Sequence, residues 1–210
     1  MNTQYQVKLI SITPEAEKHI MYTARVSNPK NQDSNNSKLI GYCVKNKHWS
    51  ILEQSFMTIE IITSRSIAQQ ILRHRSFSFQ EYSQRYAEAN SFIIYPARRQ
   101  DIKNRQNSID DLPGHIKKWF ENAQQDVWNF SEGLYQDALA KGIAKEQARM
   151  LLPLNTQTKL YMSGSVRSWL HYIEVRTDPS TQLEHRQIAE ACKDIFKQEL
   201  PITAEALGWL

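Results

Sequence analysis

Glycine is scarce in this chain: there are six among 210 residues, at positions 41, 114, 133, 142, 164 and 208. None lies in a G-x-G-x-x-G or P-loop pattern, which excludes the backbone phosphate cradles of those folds. A dinucleotide bound here would have to be held by arginines and helix N-termini. Cysteine is scarcer still, with only Cys43 and Cys192, far apart and outside any CxxC pairing. They read as reduced structural residues of a cytoplasmic protein, and neither has neighbours that would activate a thiolate. Cys43 and His48 come nearest to zinc-ligand spacing, and no metal is expected. Apolar runs such as Ile59–Ile62 are too short to cross a bilayer. The start, Met1-Asn2-Thr3-Gln4-Tyr5, lacks the basic and apolar regions of a secretory leader. Repeats, low-complexity tracts and a domain boundary are also missing, so residues 1–210 read as a single domain.

What is present is ordinary globular material, 40% hydrophobic and 23% charged, with a net charge of +4. The basic balance points to anionic partners, either nucleic acid or nucleotides and folates.

Alternation marks strands at 5–10 and 57–62, and a shorter one at 159–162. Thr13-Pro14-Glu15 has the order of an N-cap, a first-turn proline and an early acid, predicting a helix to about Arg25. Further helices are expected over 37–47, after Thr63 or Ser64, over 114–141, from Lys145 to Leu152, and from Ser163-Gly164-Ser165 to Arg176. Trp119, Phe120, Val127, Trp128, Leu134 and Leu139 are the expected core of the long helix. Thr181-x-x-Glu184 has the form of a capping box for the last one. Residues 98–112 read as a polar surface excursion.

The most distinctive stretch is Arg73-His74-Arg75, followed by Ser78, Glu81, Ser83, Arg85 and Tyr86. Arginine forks grip phosphate in a bidentate way, and the serines add short donors for phosphate or a ring. On the expected helix, Gln70 and Arg73 are three apart and share a face. Two plainer readings compete: a solvated basic helix end, and a nucleic-acid module stacking bases on Phe77, Phe79, Tyr82 and Tyr86. Glu81 and Glu88 interrupt the basic run that the second requires. No Ser-His-Asp arrangement can be argued from spacing. The polar residues are left to bind and polarise, with a cofactor supplying the hard chemistry.

The RHR-x2-S-x4-S-x-R pattern at 73–85 resembles the signature of the flavin-dependent thymidylate synthases. Three further blocks resemble that family in order: His48-Trp49-Ser50-Ile51-Leu52-Glu53, Arg149-x-x-x-Pro153-Leu154-Asn155, and Ser165-x-Arg167-Ser168-x-x-His171 with Arg176-x-Asp178-x-x-x-Gln182-x-Glu184. The resemblance implies an α+β domain, a twisted, mainly antiparallel or mixed sheet flanked by helices, assembled as a homotetramer with shared sites. It implies methylation of dUMP to dTMP, with 5,10-methylenetetrahydrofolate as one-carbon donor, FAD as hydride carrier and NADPH as reductant. Ser50, Glu53, Arg73, His74, Arg75, Glu81, Ser165, Arg167 and His171 would hold FAD. Gln70, Arg73, Glu81, Ser83, Arg85, Arg149 and Arg176 would bind the nucleotide. Arg176 would favour the ionised uracil ring, and His48 would help to orient the substrates. Gln80, Gln54, Ser165 and His171 depart from residues common in the family, so altered flavin contacts are expected. An inactive relative keeping the same fold is the remaining rival, and the presence of Arg176 argues against it.

Overall fold

Strand alternation organises the fold. Burial alternates along Phe56–Ser64 and along Gln157–Ser165, and the two pair antiparallel from Phe56 with Ser165 to Ser64 with Gln157. The structure, a computed structural model, describes residues 5–210. The reading of Met1–Gln4 as no part of a leader lies outside them. In chain order the elements are β1 (Gln6–Ile12), α1 (Ala16–Ala24), α2 (Lys38–Lys45), β2 (Phe56–Ser64), α3 (Arg65–Ile71), β3 (Ser78–Glu81), β4 (Arg99–Gln100) and β5 (Ser108–Ile109). There follow α4 (Gly114–Ala140), α5 (Lys145–Ala148), β6 (Gln157–Ser165), α6 (Val166–Arg176), α7 (Leu183–Glu199) and α8 (Pro201–Ala206), with 3-10 turns at Trp49–Glu53 and Arg149–Leu151.

The main sheet has the order β1-β2-β6-β3 and is antiparallel throughout, an α+β arrangement. On one face Ile59, Ile61, Leu160 and Met162 are buried against helices that contribute Trp169, Tyr172, Ile188 and Phe196. The other face is polar: Tyr161 Oη donates to Glu60 Oε2 at 2.8 Å, and Lys159 Nζ lies 3.3 Å from the same carboxylate. Among the described residues no helix is long and apolar enough to cross a membrane.

Several local expectations are corrected. The first helix starts at Ala16, after Glu15 in the left-handed region (φ 49°). Thr13 does not cap it, because its Oγ1 accepts from Phe56 N at 2.9 Å and ties β2 to the chain after β1. The Thr181–Glu184 box does not form: Thr181 Oγ1 donates to Val175 O, and Glu184 turns to Arg98, 2.5 Å away. The polar stretch 98–112 is not a bare excursion, since it contains the β4–β5 hairpin. Along α4 only Trp128 of the expected core residues is buried, and Leu139 is partly so. Trp119 (66% exposed), Phe120, Val127 and Leu134 point outward, as does Phe130 (71%). Apolar residues recur all round this helix, so one stripe faces the chain and another is left over.

Candidate active site

The turn Trp49–Glu53 and the β6–α6 junction enclose a cavity of about 620 Å³. Ser165 is the last residue of β6 and the N-cap of α6, its Oγ accepting from Ser168 N at 3.2 Å. Glu53 clamps this junction to the turn: Ser165 Oγ donates to its Oε2 at 3.3 Å and Arg167 Nη1 to its Oε1 at 2.6 Å. Arg167 and His171, one helical turn apart, both line the cavity, with Trp49 and Phe56 as aromatic wall. The structure thus brings together four residues of the expected flavin set, Glu53, Ser165, Arg167 and His171. Ser50 within the turn and His48 just before it are exposed and outside the lining, and the His48 ring stands edge-on to Tyr42 at 6.0 Å.

Arg73, His74 and Arg75 lie past the end of α3 rather than on its face. The turn they occupy is pinned by Phe77, which is buried against Trp169 with ring centroids 4.9 Å apart. Gly164 makes room for it, since a Cβ there would stand 2.5 Å from Phe77 Cδ1. Ser168 Oγ also donates to Ser76 O at 3.2 Å, so the turn borders the same cavity.

Within the turn, His74 Nε2 accepts from Arg176 Nε at 2.8 Å. Burial, then the charges of Arg176, His171 and Arg73, push the His74 imidazole down to about 4. It is therefore neutral at pH 7 and suited to accept. Arg73 and Arg75 are exposed, and neither guanidinium has a hydrogen-bond or ion-pair partner among the described residues. Gln70 Nε2 donates to Gln182 Oε1 at 2.6 Å, and its Oε1 faces His185 Nδ1 at 3.4 Å.

The other expected nucleotide residues form a third group. Glu81 Oε1 accepts from Thr158 Oγ1 at 2.9 Å and lies 3.4 Å from Arg65 Nη1. Ser83 Oγ accepts from Arg85 N at 3.3 Å. Arg85 Nε donates to Glu146 Oε2 at 3.1 Å and Arg149 Nε to Glu146 O at 3.2 Å, so the two arginines meet at Glu146. None of these residues lines the 620 Å³ cavity.

Sequence reasoning missed several of these partners. Ser168 and Gln182 stood inside quoted motifs without a role, and Glu146 lies three residues from Arg149 on a helical segment. Arg65, Tyr172 and His185 carried no local signal. Both cysteines are buried, and burial pushes both thiols up, so neither offers a thiolate.

Comparison with known proteins gives a consistent picture. The family model described as thymidylate synthase complementing protein matches residues 8–202. The chain is 58% identical over 190 residues to the flavin-dependent thymidylate synthase of Synechocystis, covering 90% of this chain and 88% of that protein. It is 53% identical to a probable flavin-dependent thymidylate synthase of Paramecium bursaria Chlorella virus 1, covering 97% and 99%. The crystal structure of the UMP/dUMP methylase PolB from Streptomyces cacaoi, bound with 5-Br dUMP, superposes with a TM-score of 0.87 at 24% identity, covering 97% of this chain and 94% of that one. At that identity the likeness speaks for a shared fold alone. With its model matched from residue 8 to 202, this chain belongs to the thymidylate synthase complementing protein family, that of the flavin-dependent thymidylate synthases.

Proposed function

We propose that this chain methylates dUMP to dTMP, taking the carbon from 5,10-methylenetetrahydrofolate and the reducing equivalents from NADPH by way of FAD, without a cysteine nucleophile. The observation that carries the reading is the convergence on one cavity of Glu53 from one motif block with Ser165, Arg167 and His171 from another, more than a hundred residues later in the chain. Its lining suits FAD: Trp49 and Phe56 offer aromatic surface, Arg167 a guanidinium, and Ser165 and Ser168 hydroxyls. The buried, protonated thiols of Cys43 and Cys192 agree with a reaction that needs no covalent enzyme–uracil bond.

In this reading Arg73, His74 and Arg75 hold the flavin with the cavity residues, including exposed Ser50. When bound, FAD supplies the hydride. Gln70, Arg73, Glu81, Ser83, Arg85 and Arg149 bind the nucleotide, with Glu81 also bordering the flavin. Arg176 does the polarising. His74 takes its Nε–H and leaves the terminal Nη groups to a ligand. A fixed cation beside the uracil ring favours the anionic, more nucleophilic form, and a pre-aimed charge needs no reorganisation during reaction. His48 orients the substrates from the entrance of the turn.

We also infer that the working form is a single-domain homotetramer with shared sites, in the cytoplasm. Two observations support the assembly. The nucleotide residues near Glu146 lie outside the cavity that gathers the flavin residues. The outward stripe on α4, with Trp119, Val127 and Phe130, also exceeds what an isolated surface helix needs.

The test is thymidylate formation from dUMP, methylenetetrahydrofolate and NADPH, with and without FAD. Product that requires both FAD and NADPH is expected. Folded, FAD-supplied protein that makes none overturns the reading.

A further inference from the structure

His185 on α7 is fully buried, at 0% exposure, yet both of its ring nitrogens face polar atoms. Nδ1 lies 3.4 Å from Gln70 Oε1, and Nε2 lies 3.2 Å from Tyr172 Oη. The polarity of these contacts is set from the other end of a chain of side chains. Glu184, held at 2.5 Å by Arg98, is a carboxylate and can only accept, so the end of Gln182 that meets it at 2.9 Å is the amide nitrogen. Gln182 then presents its oxygen to Gln70, whose nitrogen must face it, across 2.6 Å. Gln70 in turn shows its oxygen to His185. An oxygen there requires hydrogen on Nδ1, which leaves Nε2 to accept from the Tyr172 hydroxyl. Every bond in the relay follows from the one charge on Glu184. Burial agrees, pushing His185 down to about 3 and the Tyr172 phenol well up, so one stays neutral and the other protonated.

The same tyrosine supports the other side of the site. Its ring stands edge-on to His74 with centroids 4.9 Å apart, and His74 accepts from Arg176. One buried pair thus backs both Gln70 and the residue that aims Arg176.

We propose that His185 and Tyr172 are positioning residues of the nucleotide site: with Gln182 and Glu184 they lock the Gln70 carboxamide so that it offers a hydrogen-bond donor, not an acceptor, to an oxygen of the bound pyrimidine nucleotide. Gln70 Nε2 carries two hydrogens and Gln182 takes one, so one remains for the ligand. With His185 removed, Gln182 still faces the Gln70 nitrogen, but Gln70 Oε1 loses the donor that holds it in place, so the carboxamide can swing and its free N–H no longer stays aimed at that oxygen. The assignment rests on the nucleotide role given to Gln70 above.

The experiment has two arms. In the full-length wild-type protein, labelled with nitrogen-15, the His185 ring is expected to be neutral with hydrogen on Nδ1 at about pH 5, where an ordinary histidine is charged. Hydrogen on Nε2, or a charged ring, overturns the proposal. In the second arm, His185→Leu should raise the KM for dUMP about threefold to tenfold with kcat nearly held, as expected for one neutral hydrogen bond. His185→Asn, whose amide can donate from near the Nδ1 position, should recover most of that rise. Equal effects in the two variants, or a loss confined to kcat, overturn it. Wild-type protein that turns over no dUMP counts against the proposed reaction and not the relay, which the nitrogen spectrum still decides.

Discussion

Arg176 at the end of α6 and His74 in the turn after α3 are joined side chain to side chain, Nε to Nε2, across 2.8 Å. The bond makes a neutral imidazole the support of a guanidinium, the opposite of the usual histidine–carboxylate pairing. Protonation of His74 would replace attraction with repulsion between two cations. The burial and charge that push His74 down to about 4 therefore also preserve the aim of Arg176.

Arg176→Ala should lower thymidylate formation by about a hundredfold to a thousandfold, the usual consequence of losing a pre-aimed charge at a developing anion. Flavin should stay bound, because Arg176 does not line the cavity that holds Glu53 and Arg167. Steady-state turnover and flavin absorbance measure the two separately, and normal turnover would remove the polarising role.

Acid should destabilise the ligand-free protein through His74 and His185. Their folded values are about 4 and about 3, against an ordinary 6.5. Above 6.5 neither state binds these protons. Below it the unfolded chain takes them up while the folded chain refuses them, so stability is full above about 6.5 and is lost as pH falls toward about 4. Urea midpoints at about pH 7.5 and about pH 5 should differ, and His185→Asn, which deletes one of the two groups, should narrow the difference. An unchanged midpoint in the wild type would contradict the neutral burial of both rings.

Arg75→Ala should weaken FAD about tenfold to a hundredfold if its guanidinium meets a phosphate, the range for a charge-assisted hydrogen bond. The melting temperature of the ligand-free protein should barely move, since Arg75 is exposed and its side chain has no ion-pair partner among the described residues. Titration of apoprotein by flavin fluorescence gives the affinity, and an unchanged value would displace Arg75 from the flavin site.

Gly164→Ala should cost about 1–3 kcal/mol, as overpacking of a filled core does. The added Cβ would lie 2.5 Å from Phe77 Cδ1 and 2.7 Å from Cε1, so the ring must shift and carry the Arg73–Arg75 turn with it. A fall of several degrees in melting temperature with weaker FAD binding is expected, and Phe77→Leu in the same chain should recover part of both. Wild-type stability in the single variant would mean that the ring is not pinned.

Phe130→Glu should shift the sedimentation of the protein toward smaller species. Phe130 is 71% exposed, so the substitution leaves the fold of one chain nearly untouched. An unaltered tetramer would take α4 out of the interface, and a wild-type monomer would dismiss the assembly altogether.

The features legible in the sequence are those whose causes are local. Ser64 and Ser165 each sit between an alternating strand and a 3.6-residue pattern, and both cap the helix that follows. The alternation at 57–62 likewise announced β2, because one face of that strand is buried. Legibility failed wherever a distant partner outbid a local rule. Glu184 had the right spacing to close a capping box with Thr181, but Arg98, 86 residues away, holds it. Thr13 looked like a cap, and Phe56 claimed it. Ser78–Glu81 carries no strand expectation, only ligand-holding residues, because its one hydroxyl, amide and charge mask an edge strand that β6 supplies with partners. The flavin group was readable as motif residues, whereas the His185–Tyr172 pair was not. Gln70 reaches it from 115 residues away, and no period or cap marks such a contact.

The pairing of β2 with β6 also bears on how the molecule comes into being. Phe56 waits for Ser165 and Ser64 for Gln157, so β2 leaves the ribosome with β1 already made but long before its other neighbour, β6, exists. Glu53 and His74 emerge early too, while Arg167 and Arg176, which they meet, come late. A nascent first half therefore has an unfinished sheet and no pocket, and long-range closure of this kind is slow. The capacity for chemistry arrives in one late event, when the last third of the chain is released.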